Sequence, residues 1–192
     1  NRAHGQAVRL ADRVRARAVG LVKGHIATRK AVPRATDTSI GAIGTLGSTD
    51  LIDKWVANGS RNVDAIRGGG EQYAIEVVDR PVPGVRKALV IAGSDRRGTA
   101  YGTFAISEAI GVSPWYWWAD VPVAPQERLR LDVRSYRSKE PSVKYRGLFI
   151  NDEDFGLKPW AAKTFDPELG DIGPKTYSKI CELLLRLKGN YL

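Results

Sequence analysis

The chain has 192 residues, of which 43% are apolar, and 30 basic side chains against 21 acidic ones leave it at +9. At about 150 residues per domain that is one domain and the start of another. No run of about 18 apolar residues offers a membrane span, the single cysteine rules out an internal disulfide and a cysteine-rich metal site, no basic patch followed by an apolar stretch is visible as a signal peptide in this chain, and a zinc site is not expected from His4 and His25 alone.

In chain order, Ala7 to Val19 reads as a helix with Val8, Ala11, Val14 and Ala18 on one stripe. The same region is basic, with Arg2, Arg9, Arg13, Arg15, Arg17, Lys23, Arg29, Lys30 and Arg34 facing only Asp12 and Asp37. Such a balance suits nucleic acid or an acidic polysaccharide, but no aromatic residue interleaves it for base stacking. A solvated helix face is the favoured reading, and neither nucleic acid nor a membrane is expected as a partner. Residues 38–46 form a small strand and Asp50 to Asn58 a short helix with Leu51, Ile52, Trp55 and Val56 inward. Asn58-Gly59-Ser60 fits a glycosylation acceptor, a match that chance supplies in a chain of this length.

Tyr73 to Val78 is strand-like, and Val82-Pro83-Gly84-Val85 supplies a turn. Ala88 to Ala92 is a continuous apolar run, as in a strand covered on both faces. After a polar loop a helix runs from about Thr99 to Ile110, with Gly111 as its terminator. Leu129, Leu131 and Val133 alternate with charged residues as an edge strand, and residues 135–142 read as a linker. Beyond it the pattern changes: a strand over Val143 to Ile150, a loop over 151–173, and a helix from Pro174 to Lys188. Tyr177, Ile180, Cys181, Leu184 and Leu187 form its apolar stripe, with Cys181 in the core and Gly189 as the stop. Asn190-Tyr191-Leu192 opens another strand. Helices interleaved with strands make the fold class α/β, divided into residues 1–138 and 142–192. The second part is a strand–helix–strand unit whose open edges call for a further domain.

Three stretches carry candidate chemistry. Asn151, Asp152, Glu153 and Asp154 follow a buried strand directly. In a parallel α/β barrel the active site gathers at those strand ends, and a 23-residue connection is long enough to be functional; the alternative is a solvated acidic turn or helix cap. Because neighbours on an extended chain point opposite ways, Asp152 and Glu153 do not share one role. Pro114-Trp115-Tyr116-Trp117-Trp118-Ala119-Asp120 either stacks on sugar rings or seals a domain interface, the latter being favoured. Gly93-Ser94-Asp95-Arg96-Arg97-Gly98-Thr99 precedes a helix whose amides suit an anion. It lacks the spacing of a phosphate loop or dinucleotide fingerprint, so no cofactor is expected.

The segments Ile91 to Gly102, Gly111 to Val123, Val143 to Glu153 and Leu183 to Leu192 together resemble glycoside hydrolase family 115, the xylan α-1,2-glucuronidases. The likeness begins near Thr36 and is strongest in the tryptophan-rich run. It implies an N-terminal α/β domain like the accessory domain of family 20 hexosaminidases, then the first strand and helix of a truncated (β/α)8 barrel. It implies an inverting glycosidase that removes (4-O-methyl)-glucuronic acid from glucuronoxylan, with Asp152 at the family's acidic position and Asn151 and Glu153 beside it on the substrate. The expected partners are glucuronoxylan or its oligosaccharides and the missing barrel of the same chain, with a homodimer of the full-length protein. A polymer substrate implies an extracellular or periplasmic location. The fragment alone is expected to be inactive, since the second carboxylate would lie beyond Leu192. Arg96, Arg97 and the tryptophans are expected to meet the barrel. The competing reading is a non-catalytic module that binds carbohydrate or braces the barrel.

Overall fold

The computed structural model describes residues 38–57, 61–119, 121–125, 131–151 and 154–192. The expected N-terminal helix, both histidines, the Asn58–Ser60 acceptor and residues 128–130 of the expected edge strand lie outside the described residues. The chain forms two units. One takes residues up to Ser113 and Pro122–Ser142; the other takes Pro114–Val121 and Val143–Leu192.

The first unit is a mixed four-stranded sheet in the order β1-β3-β2-β4, from β1 (Thr38–Thr45), β2 (Tyr73–Asp79), β3 (Val85–Gly93) and β4 (Tyr136–Arg137). β1 runs parallel to β3, pairing Ala42 with Val90 and Thr45 with Gly93, while β2 lies antiparallel to β3 and to β4. The apolar run of β3 is covered on both faces at its end, where Val90, Ile91 and Ala92 are all buried. On one face α1 (Asp50–Ala57) and α2 (Arg61–Asp64) contribute Ile52, Trp55 and Val63 to a cluster with Ala42, Ala74, Ala88 and Val90. On the other, α3 (Arg96–Ala109) lays Gly102 against Tyr73 and Ile91 and buries Tyr101. Close approach there requires glycine: a Cβ on Gly102 would sit 2.8 Å from the Ile91 side chain, and one on Gly98 2.0 Å from the Gln72 carbonyl oxygen. The helix ends as its glycine suggests, with Gly111 in the left-handed region (φ 95°) and amides of Gly111 and Val112 returning to the Glu108 and Ser107 carbonyls.

The edge of this sheet differs from expectation. Among the described residues, 131–135 form no ladder, and the edge strand is the Tyr136–Arg137 pair inside the stretch read as a linker. Polar residues hold it there. The Ser138 hydroxyl accepts from the Tyr73 amide at 2.9 Å, the Gln72 amide group donates to the Ser138 carbonyl at 3.1 Å, and Asn62 Nδ2 donates to the Tyr136 carbonyl at 3.0 Å. Ser138, which read as linker composition, is here bonded to β2.

The second unit contains α4 (Leu157–Thr164) and α5 (Pro174–Arg186). The expected strand over 143–150 reduces to one parallel bridge, Gly147 with Tyr191. α4 occupies what read as loop. Its Pro159 falls in the first turn, where the missing N–H has no intrahelical partner to lose. α5 buries Thr176, Lys179, Ile180, Leu183 and Arg186, whereas Tyr177, Cys181 and Leu187 are exposed. Cys181 is therefore not a core residue. The inner face is rotated because Glu182 neutralises the two cations that face inward.

Candidate functional site

The end of the 147–150 segment carries Asn151, which is exposed; Asp152 and Glu153 lie outside the described residues. The structure thus brings Asn151 to the end of an extended segment paired in parallel with Tyr191, and describes neither carboxylate beside it. On their far side Asp154 accepts from Lys158 Nζ at 3.1 Å as an exposed pair. Gly156, at φ 75°, turns the chain into α4.

The aromatic run belongs to this unit. Trp117 packs on Phe165 at 4.5 Å between ring centroids, Trp118 on Trp160 at 5.5 Å, and Trp160 on Phe165 at 5.2 Å. Trp117 and Trp118 are half-buried, while Trp115 stays 43% exposed. Beneath them lies a charge cluster that sequence reading did not assemble. Glu182 accepts from the Tyr116 hydroxyl at 2.9 Å and from Arg186 Nε at 3.0 Å, and Lys179 Nζ stands 3.4 Å from its other oxygen. The Lys179 ammonium also sits 4.3 Å from the Trp117 ring centre and the Arg186 guanidinium 4.9 Å from that of Tyr116. Burial pushes the Glu182 carboxyl up, but the two cations and the Tyr116 hydroxyl outweigh it, so its pKa falls below the usual value. The i, i+3 and i+4 spacing of Lys179, Glu182 and Arg186 on one helix was the available signal. It reads as a solvated ion-pair row unless the aromatic cover is known.

Asp166 is a second buried carboxylate, 1% exposed. It accepts from the amides of Gly173, Lys175 and Thr176 and from the Thr176 hydroxyl at 2.7 Å, so it serves as the start of α5.

In the first unit the Gly93–Thr99 loop does not present a vacant anion seat. The Asp95 carboxylate accepts from the Gly98 amide at 2.7 Å and the Glu71 amide at 2.9 Å, so the protein supplies its own anion to the helix start. Arg97 donates to Glu71 at 3.3 Å. Among the described residues no group of three His, Cys, Asp or Glu side chains is placed to hold a metal, and no helix is long and apolar enough to cross a membrane.

Comparison with known proteins places this geometry. The model of glycosyl hydrolase family 115 matches residues 138–192. A solved structure described as a novel family GH115 4-O-methyl-alpha-glucuronidase with specificity for decorated arabinogalactans is 39% identical, with a TM-score of 0.67, over 93% of this chain. The chain spans 23% of that protein's length. No curated protein matches it. The family match takes in Val143–Leu192 of the second unit and the last residues of the first, and the structural likeness covers the mixed α/β sheet as well. The chain belongs to glycosyl hydrolase family 115.

Proposed function

We propose that this chain is part of an inverting α-glucuronidase, a glycosidase that removes (4-O-methyl)-glucuronic acid from a decorated plant polysaccharide. The observation that supports it best is the parallel pairing of Gly147 with Tyr191 across α5. It has the form of the opening βα unit of a (β/α)8 barrel, with Asn151, Asp152 and Glu153 at the end where such barrels gather their sites. The first unit would then be the accessory α/β domain.

In this reading Asp152 is one of the two carboxylates that inversion needs, or it holds the glucuronate hydroxyls. Asn151 and Glu153 contact the sugar beside it. The other carboxylate stands about 6.5–9.5 Å away, leaving room for the attacking water. One carboxylic acid protonates the leaving oxygen while the opposing carboxylate takes a proton from that water, which attacks the anomeric carbon from the other face. The polymeric substrate implies an exported enzyme, and we propose glucuronoxylan as that polymer. The solved relative acts on decorated arabinogalactans, so release of glucuronic acid from the two polymers side by side distinguishes them. We also propose a homodimer for the longer enzyme.

The decisive experiment is Asp152→Asn in the longer enzyme. Its rate should fall about 10²–10⁴-fold, and a rate within about two-fold of the parent would remove Asp152 from the site. The second reading, a non-catalytic carbohydrate-binding segment, rests on exposed Trp115. It requires a fluorescence change when the chain is titrated with glucuronoxylan oligosaccharides, lost in Trp115→Ala.

A further inference from the structure

The face of the first sheet that meets α3 is built from alternate residues. Tyr73 and Ile75 share that face of β2, because side chains alternate along a strand. Tyr136 stands opposite Ile75 in the ladder and belongs to the same face. α3 covers this surface incompletely. Ala105 and Ala109, four residues apart on one side of the helix, present only methyl groups, and β4 is two residues long. The far side is formed by residues 131–134, where Leu131 and Val133 are half-buried and Asp132 and Arg134 are exposed. Between them lies a cavity of about 240 Å³, open on one side and walled by Tyr73, Ile75, Ala105, Ile106, Leu131 and Val133. Tyr136, Asp132 and Arg134 stand at its rim.

The cavity has one polar end. Tyr73 is 4% exposed, and its hydroxyl is bonded to that of Tyr136, with the two rings 5.7 Å apart and tilted by 40°. Burial first, then the Tyr136 hydroxyl and the Glu108 charge, push the Tyr73 hydroxyl well above its ordinary value, so it stays a neutral phenol. Whichever of the two hydroxyls donates, the Tyr136 oxygen keeps a lone pair for a further donor. The other walls are aliphatic. The two charges at the rim are opposite in sign, so they favour an occupant with no net charge.

Size, polarity and charge together select the ligand. Drug-sized molecules fill about 300–1,000 Å³, so this cavity admits a single ring. A sugar ring would bury several hydroxyls against aliphatic walls, with one tyrosine hydroxyl pair to meet them, and unpaired buried hydroxyls are costly. An aromatic ring with one hydroxyl suits the walls better. It buries apolar area against Ile75, Ile106, Leu131 and Val133, meets the tyrosine rings in an offset or edge-on arrangement, and donates its hydroxyl proton to Tyr136. We propose that this cavity is a binding site for a neutral, single-ring phenol. The site lies wholly within the first unit and is independent of the glucuronidase reading.

The test titrates the 192-residue chain against para-fluorophenol and follows the ligand by fluorine NMR. Saturable binding with a dissociation constant of about 1 mM is expected, an ordinary affinity for a ligand of so few atoms. Tyr136→Phe keeps the ring and removes the hydroxyl, and it should weaken binding about five-fold, the worth of one hydrogen bond. Ala105→Leu should abolish binding by filling the cavity, on a helix that leucine suits, with circular dichroism to report its folding. Should Ala105→Leu not fold, the Tyr136→Phe constant alone decides. Failure to saturate overturns the site, and so does an unchanged constant in the folded variants, which would put the phenol elsewhere. Two competitors check the ligand class. Cyclohexanol, which lacks the aromatic ring, and methyl glucuronide, a uronate sugar, should displace little of the phenol at equal concentration. Full displacement by either overturns the phenol assignment in favour of an aliphatic or a sugar ligand.

Discussion

Asp166 is buried, and among the described residues its carboxylate is met by amides and one hydroxyl at the start of α5 rather than by a cation. Burial pushes its carboxyl up, but the bonds from Thr176, Lys175 and Gly173 outweigh this, and its pKa is held below the ordinary value of about 3.9. The lower value in the folded state fixes the sign of the pH effect. The stabilisation is present above the unfolded value of about 3.9 and is lost as pH falls through the lower, folded value. Asp166→Asn is therefore expected to lower the Tm of the second unit at neutral pH and to flatten its fall in acid, as read by circular dichroism between about pH 5 and 2. A parent-like acid limb in the variant would show that another carboxylate controls it. Nothing local in the sequence marks this residue, since its partners begin seven positions further on.

At the scale of elements, two helices illustrate opposite uses of a face. α3 meets the sheet through glycines. Gly98→Ala gains about 1 kcal/mol of helix propensity, yet its new Cβ would press on the backbone carbonyl of Gln72, which cannot rotate away. Overpacking of this kind costs about 1–3 kcal/mol, so a net loss of stability is expected by denaturant titration; a more stable variant would mean that the helix is free to shift outward. α5 meets the aromatic run through charge. Glu182→Gln removes the carboxylate that buried Lys179 and Arg186 share, and removing one partner of such a set costs roughly 3–5 kcal/mol. Quickened exchange confined to the second unit's amides is the expected signature, and parent-like stability would mean that the cations turn out to water. The apolar stripe Tyr177, Cys181 and Leu187 was legible as helical period, but not which side of the helix faces in. That depended on Tyr116 and Trp117, about sixty residues earlier.

For the whole molecule, the two units divide the chemistry as they divide the chain. The proposed (β/α)8 barrel would take about 250 residues, and the second unit supplies two helices between extended segments. The 192-residue chain should consequently release no glucuronic acid from glucuronoxylan or from decorated arabinogalactan. Measured release above a heat-treated control would contradict the proposal that the opposing carboxylate lies elsewhere. Unit boundaries also follow the tertiary structure. The aromatic run precedes β4 in sequence, yet it packs with α4 and α5.

The sequence by itself determined β1, α1, β2, β3 and the body of α3, because the apolar run Ala88 to Ala92 and the Gly111 stop are local signals of burial and termination; it did not determine α2 or β4. It also determined the family, because the tryptophan run and the Asn151–Glu153 triplet are contiguous. Only the tertiary structure decided that Ser138 of an apparent linker bonds to the sheet edge, that Asp95 fills its own helix start, and that the Arg146 amide meets Asn190 across 44 residues. The physical reason is common to all three. A polar side chain is satisfied by whatever backbone group the fold brings within about 3 Å, and that partner is set by packing of the surrounding elements rather than by neighbours in the chain.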